Sequence, residues 1–309
     1  RVVRTLINAF KLKENSIILD PFNGSGTTTH ESSLMGINSV GIDVTPMGIV
    51  LSELKNDLLF INGQKLDFSQ NELGDILNSI EEKRWKHPEP LIHKLMLAVY
   101  FDTVDAFVRT SRYNKKGKLG LFIEKLNYIK DCYNKTMEVK EKYALKFKPA
   151  NIIEKDILNL KNINELKEKF DACITSPPYY FSIDYVGKDN IAYDYLGIDM
   201  KNIESKYLGM KNNVQIKANY EGLPNKVIMY YEDLKKSIEN IFWALKSGGK
   251  LAIIIGDSTV NGEKIPTTIV TKKFCEEAGF KFEKLIFNPL LGARNRAIRG
   301  ESVIICFKP

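Results

Sequence analysis

S-I-I-L-D-P-F-N-G-S-G-T-T, residues 16–28, decides the fold. An apolar run closes on an acid, Asp20, and passes into a glycine-rich turn. A helix-compatible stretch from Thr27 to Met35 and a second run, N-S-V-G-I-D at 38–43, follow. The order is strand, loop, helix, strand. Gly24 and Gly26 let the backbone turn sharply and approach a ligand closely. A dinucleotide fingerprint would need a third glycine where Thr29 stands, and no G-K-[ST] follows to make a Walker loop. Asp43 ends the second run 23 residues after Asp20, where an acid can accept hydrogen bonds from ribose hydroxyls. The loop therefore suits a nucleoside without a diphosphate.

Working outward, the rhythm resumes at 150–156 (A-N-I-I-E-K-D), 170–176 (F-D-A-C-I-T-S) and 249–257 (G-K-L-A-I-I-I-G-D), each run apolar throughout rather than alternating. Such strands separated by helices predict a parallel sheet covered on both faces. The runs at 280–288 and 302–307 have only a loop between them, too short for a helical crossover, so an antiparallel hairpin is expected at the sheet edge. Residues 1–54 and 150–309 read as one domain, with 55–149 as an inserted helical unit. In that unit Ile92, Leu95, Met96 and Val99, then Leu119, Phe122, Ile123, Leu126, Ile129 and Tyr133, recur at helical spacing.

The 45 Lys and Arg against 38 Asp and Glu leave a net charge of +7, and the stretch from Arg109 to Lys148 alone holds twelve basic and four acidic residues. That stretch interleaves its charges with Tyr113, Tyr128, Tyr133 and Tyr143, a composition suited to phosphates and unstacked bases, although a solvated Lys-rich face reads the same way. With 44% hydrophobic and 27% charged residues, the 309-residue chain is neither a disordered protein nor a disulfide-stapled miniprotein. Four scattered cysteines and three isolated histidines give no support to a metal site, and Cys173 and Cys306 read as buried thiols. No apolar run reaches the roughly 18 residues that span a bilayer and no signal peptide is visible, so a cytoplasmic location is expected. The chain opens on Arg1 without Met, and an upstream segment is expected.

A second constellation, T-S-P-P-Y-Y at 175–180, follows the run D-A-C-I and so should share the carboxyl rim of the sheet with the glycine loop. Pro177 and Pro178 are stiff and donate nothing, leaving their carbonyls and the Ser176 hydroxyl as fixed acceptors beside Tyr179. Two N–H donors of an exocyclic amine fit such a group while Tyr179 stacks on the ring, for roughly 1–3 kcal/mol.

D-P-F-N-G-S-G-T-T together with T-S-P-P-Y resembles the S-adenosylmethionine-dependent amino-methyltransferases of DNA, over roughly 1–60 and 150–309. The serine-first second motif resembles the cytosine-N4 branch rather than the adenine branch. The resemblance implies a Rossmann-like class I methyltransferase fold: a mostly parallel seven-stranded sheet with an antiparallel C-terminal hairpin, plus the inserted helical unit. It implies S-adenosylmethionine as cofactor, held by Asp20, Pro21, Phe22, Asn23, Gly24, Ser25, Gly26 and Thr27. Of these, Asp20, Phe22, Gly24 and Gly26 would surround the methionine part. Asp43 would take the ribose hydroxyls and Asp156 the adenine amine, while Ser176, Pro177, Pro178 and Tyr179 would clamp the target base. It further implies double-stranded DNA as substrate, with a restriction endonuclease as candidate partner.

The sequence departs from the family pattern in the position of the insertion and in R-V-V-R-T-L-I-N-A-F standing alone before the glycine loop. Gly300-Glu301-Ser302 resembles a stretch near the end of such enzymes, preceded by Arg294, Arg296 and Arg299. Opened DNA is expected on the basic insertion and on 184–225, which carries Tyr185, Lys188, Tyr193, Lys206, Lys211 and Lys217. Adenine-N6 methylation, guanine-N2 methylation of RNA, and a non-catalytic nucleic-acid-binding protein of the same fold stay open as alternatives.

Overall fold

The computed structural model describes residues 2–61, 66–109, 116–179, 187, 189–210, 223–260, 263–289 and 300–309. Tyr113, Tyr185, Lys188, Lys211, Lys217, Arg294, Arg296 and Arg299, named above, lie outside the described residues.

The chain runs α1 (Val2–Ala9), β1 (Ile17–Asp20), α2 (Thr27–Leu34), β2 (Asn38–Asp43) and α3 (Pro46–Asp57). Three long helices follow, α4 (Gln70–Glu81), α5 (Pro90–Arg109) and α6 (Gly117–Lys142), then β3 (Ala150–Glu154) and β4 (Phe170–Thr175). Two short helices, α7 (Asn190–Leu196) and α8 (Met200–Glu204), precede α9 (Asn225–Ala244) and β5 (Leu245–Ile255). A small ribbon of β6 (Ser258–Val260) and β7 (Glu263–Ile265), then α10 (Thr267–Glu277), β8 (Lys281–Pro289) and β9 (Gly300–Phe307) complete it. Seven strands form one sheet in the order β3-β2-β1-β4-β5-β9-β8. β9 is antiparallel to both of its neighbours, and the remaining pairings are parallel. The fold is the Rossmann-like arrangement expected, with the terminal pair at one edge.

Burial on both faces explains the continuously apolar strands. Successive β1 residues point oppositely: Leu19 joins Ile42, Phe170, Leu251 and Ile253 against Tyr231, Leu234, Ile238 and Ile241 of α9, whereas Ile18 joins Ile174, Ala252 and Ile305 against Val3, Leu6 and Ile7 of α1. Cys173 and Cys306 are fully buried in the first of these cores. A third cluster is built by α4, α5 and α6 through Leu73, Leu77, Ile92, Met96, Phe122 and Leu126, and it also takes in Met47 and Leu54 of α3 and Tyr193 and Ile203 of α7 and α8. Leu119, on the expected apolar face of α6, is exposed. Among the described residues no helix is long and apolar enough to cross a membrane.

The topology fixes where chemistry can occur. From β1 the chain moves outward through β2 to β3, and then crosses to place β4 on the other side of β1, Leu19 pairing with Cys173. The carboxyl ends of β1 and β4 therefore flank the switch point of the sheet, where a crevice opens in folds of this kind.

Candidate active site

The glycine loop leaves β1 at that switch point. Gly24 and Gly26 have φ of +49° and +80°. At Gly26 a Cβ would sit 2.8 Å from the Cβ and 3.0 Å from the Cα of Ser52, so only glycine lets the loop lie this close on α3. Asn23 is turned inward as a strut: its amide donates to Ser52 Oγ at 2.8 Å and its oxygen accepts from Thr29 Oγ1 at 3.0 Å. Thr29, where a dinucleotide loop would carry glycine, thus stitches the turn to the helix. Ser25 is exposed and accepts from Lys55 Nζ at 3.1 Å, while Thr27 is exposed at the start of α2.

Asp20 is buried, its Oδ1 accepting from Thr175 Oγ1 at 2.6 Å and from the Phe22 backbone N–H at 3.2 Å. Burial raises its carboxyl from 3.8 to about 6, although hydrogen bonds from Thr175, Thr28 and Phe22 work against the rise. Asp20 and Thr175 end β1 and β4, so their bond joins the glycine loop to the strand that carries the second motif. Asp43, at the tip of β2, accepts from the Gly24 N–H at 2.6 Å through Oδ2, and from the Thr45 N–H at 2.8 Å and hydroxyl at 2.6 Å through Oδ1.

One pocket gathers much of what the sequence singled out. Pro21, Phe22 and Gly24 of the loop, Asp43, Asp156, and Ser176 with Pro178 line it together. Thus the glycine loop and the S-P-P-Y motif face a single crevice. Asp20, Asn23, Ser25, Gly26, Thr27, Pro177 and Tyr179 are outside this lining, and of these Asn23 and Gly26 brace the loop against α3. Asp156 also holds its own turn, Oδ1 accepting from the Leu158 N–H at 2.9 Å.

The second motif is held differently from its expected free posture. Tyr179 is only 7% exposed and its hydroxyl donates to Glu301 Oε1 on β9 at 2.8 Å, so its ring belongs to the core as much as to the crevice. The Pro178 carbonyl accepts from the Tyr230 hydroxyl at 2.9 Å, while Pro177 is buried and Ser176 exposed. That carbonyl keeps its second lone pair, and of the acceptors read from the sequence Ser176 and Pro178 line the pocket whereas Pro177 does not.

Further lining residues were missed. Val44, Lys155 and Ile157 sit beside the two acids, and adjacency to a strand-tip acid was a signal available for them. Lys206, Tyr207 and Leu208, just after α8, also line the pocket. Their segment was expected to hold DNA, and no local pattern marks it as a pocket wall.

The basic insertion is less free than its composition implied. Lys116 pairs with Glu124 at 2.6 Å and Lys118 with Glu81 at 2.7 Å; Lys125 and Lys130 pair with Asp102 and Asp67. Lys140 and Lys142 lie over the rings of Phe147 and Tyr143. Of the interleaved tyrosines, Tyr133 donates to the Ile61 carbonyl at 2.7 Å, whereas Tyr128 and Tyr143 are exposed. Carboxylates from α4, α5 and the chain before α4 fold back onto these lysines, which charge counting along α6 could not foresee.

Residues 1–49 match the model of a family described as DNA methylase, that of the N6 and N4 methyltransferases. The type II methyltransferase M.BsoBI of Geobacillus stearothermophilus is 25% identical to the chain, over 91% of it and 76% of the relative. The type II methyltransferase M.AvaI of Nostoc sp. is 20% identical over the whole chain and 84% of its own length. The chain is thus similar to a DNA methylase family over its first 49 residues and to type II methyltransferases along most of its length. A solved S-adenosylmethionine-dependent methyltransferase from Methanosarcina mazei superposes with a TM-score of 0.44 at 11% identity, over 98% of this chain and 96% of its own. The similarity to the DNA methylase family agrees with the order of motifs around the pocket, glycine loop first and S-P-P-Y second.

Proposed function

We propose that the chain transfers the methyl group of S-adenosylmethionine to the exocyclic amine of cytosine in DNA, within a restriction-modification system. The observation that carries this reading is the single pocket shared by Gly24, Asp43 and Asp156 on one side and Ser176 and Pro178 on the other. Its residues fit the cofactor. A Cβ-free approach at Gly24, where nothing lies within 4 Å of the Cβ position, leaves room for the ligand's chain. Phe22, Val44, Ile157 and Leu208 offer apolar walls to a nucleoside, and two carboxylates stand at the strand tips to receive its hydroxyls and amine. Asp43 Oδ2 keeps a lone pair for a ribose hydroxyl beyond its bond to Gly24. When bound, S-adenosylmethionine supplies an electrophilic methyl group on a sulfonium.

Cytosine's amino nitrogen is a poor nucleophile because its lone pair is delocalised into the ring, so this chain works by placement rather than by a strong base. Ser176 Oγ and the Pro178 carbonyl, through its second lone pair, accept the two N–H bonds and turn the nitrogen lone pair toward the crevice. After methylation the nitrogen is acidic, and its proton leaves to water or through the Ser176 hydroxyl. Tyr179, buried and pinned by Glu301, anchors the end of the motif and steadies Ser176 and Pro178. The target base must leave the duplex, at a cost of a few kcal/mol. The helical unit over 55–149 is proposed to contact the DNA flanking that base.

The test is transfer of labelled methyl groups to genomic DNA, followed by identification of the modified nucleoside. N4-methylcytosine is the expected product. N6-methyladenine would overturn the base assignment, and label entering RNA in preference to DNA would overturn the substrate.

A further inference from the structure

Helix α9 carries a buried polar stripe beside its sheet-facing side, at Tyr230, Asp233, Ser237 and Asn240, each between 0% and 7% exposed. The spacing of three and four residues puts these side chains on one face of the helix. Three of them reach three separate walls of the pocket. The Tyr230 hydroxyl donates to the Pro178 carbonyl at 2.9 Å. Asp233 Oδ2 accepts from the Gly209 N–H at 2.8 Å, next to the lining residues Lys206, Tyr207 and Leu208. Asn240 Nδ2 donates to the carbonyl of Ile157, itself a lining residue, at 2.7 Å.

Packing reinforces these bonds. Gly209 has φ +76°, and a Cβ there would fall 2.9 Å from Tyr230 Cβ and 3.0 Å from its Cα and nitrogen, so the strand of chain after α8 is seated directly on the helix. Buried polar side chains are a costly choice where stability alone matters, since apolar residues of similar volume need no partners. Asn240 illustrates the cost: its Oδ1 is buried with no partner among the described residues, while its amide holds Ile157. A leucine at 240 would remove the orphaned Oδ1 but would take from the Ile157 carbonyl its side-chain donor and release that turn.

We propose that Tyr230, Asp233 and Asn240 are positioning residues that make α9 a common backbone for both halves of the site. Tyr230 sets the amine clamp, and Asp233 and Asn240 set the 206–208 and 157 walls of the cofactor side. This rests on the functional reading above and adds to it a division of labour along one helix.

The experiment uses the full chain and compares Tyr230→Phe with Asn240→Leu, reading S-adenosylmethionine affinity by calorimetry, methyl transfer to DNA at saturating cofactor, and the thermal midpoint. Tyr230→Phe is expected to slow transfer about tenfold with cofactor affinity within about twofold of wild type. Asn240→Leu is expected to weaken cofactor binding about tenfold, a larger loss than the fall in thermal midpoint accounts for, an uncoupling that a merely structural role would not produce. Should Asn240→Leu not fold, Asp233→Asn, which keeps an acceptor, is expected to retain the affinity that Asp233→Ala loses. Wild-type affinity and rate in both first variants, or losses of both that simply follow the thermal midpoint, would overturn the proposal. Failure of the wild-type chain itself to bind S-adenosylmethionine would instead sink the functional reading.

Discussion

The glycine loop and the amine clamp stand side by side on one rim, yet they are restrained by different kinds of contact. The loop is tied within one contiguous unit: Gly24 to Asp43, Asn23 to Ser52 and Thr29, and Gly26 against α3. The clamp is tied to remote parts of the chain: Thr175 to Asp20, Tyr230 to Pro178 and Tyr179 to Glu301. The glycine loop can therefore form once β1, α2, β2 and α3 assemble, whereas the base side exists only when the whole sheet, including its antiparallel strand, is in place. Loop-closure entropy must be met for each of those distant contacts, so the clamp is the side more exposed to global destabilisation.

This contrast can be broken at several points. Gly26→Val attacks the local unit: a branched side chain at φ +80° would collide with Ser52, and a loss of about 4 kcal/mol is expected in urea denaturation. An unchanged midpoint would mean that the loop does not rest on α3.

Asp20→Asn probes the bond that joins the two sides. Because burial lifts the folded-state carboxyl from 3.8 to about 6, the folded protein binds this proton more tightly than the unfolded chain. The group therefore costs nothing below about pH 4, and stability is lost as the pH rises toward 6. The cost above that range is about 3 kcal/mol, since each tenfold difference in proton affinity between the folded and unfolded chain is worth about 1.36 kcal/mol. Relative to wild type, Asp20→Asn should thus gain about 3 kcal/mol between pH 4 and pH 7, read by denaturation of both proteins at each pH. Parallel pH profiles would show that Asp20 does not hold a buried charge.

Ser176→Ala should slow methyl transfer about 100-fold, near 2.7 kcal/mol, while calorimetric cofactor affinity stays within about twofold. If affinity fell as far as rate, the separation of the two sides would be wrong. Smallest is Asp43→Ala, with a cofactor Kd raised about tenfold to thirtyfold, in line with roughly 1.5–2 kcal/mol for hydrogen bonds to a charged group. Unchanged affinity would remove Asp43 from the ribose site.

How far the molecule was legible varies along the same divide. The mostly parallel sheet with its terminal hairpin and the placing of both motifs on one rim followed from apolar runs and glycine positions, because a parallel strand declares itself by burial on both faces. Asp43 and Asp156 were found because a strand's end can be read in the sequence. Asn23, counted with the ligand-binding residues, is a strut, since its partner Ser52 sits on a helix whose approach to the loop no local pattern encodes. The pairing of the α6 lysines was hidden for a similar reason: Glu81, Asp102 and Asp67 meet them only across the helical cluster.

Sequence alone determined the kind of ligand-binding turn, the strand it leaves from and the chemistry offered by S-P-P-Y, all of which depend on residues within a few positions of one another. Tertiary structure decided how open that chemistry is. It took one lone pair of the Pro178 carbonyl for Tyr230, sank Tyr179 against Glu301, and brought Lys206, Tyr207 and Leu208 into the pocket wall. The physical reason is that a hydrogen-bonding group's availability depends on every partner within reach, and in a folded chain most of those partners come from far along the sequence.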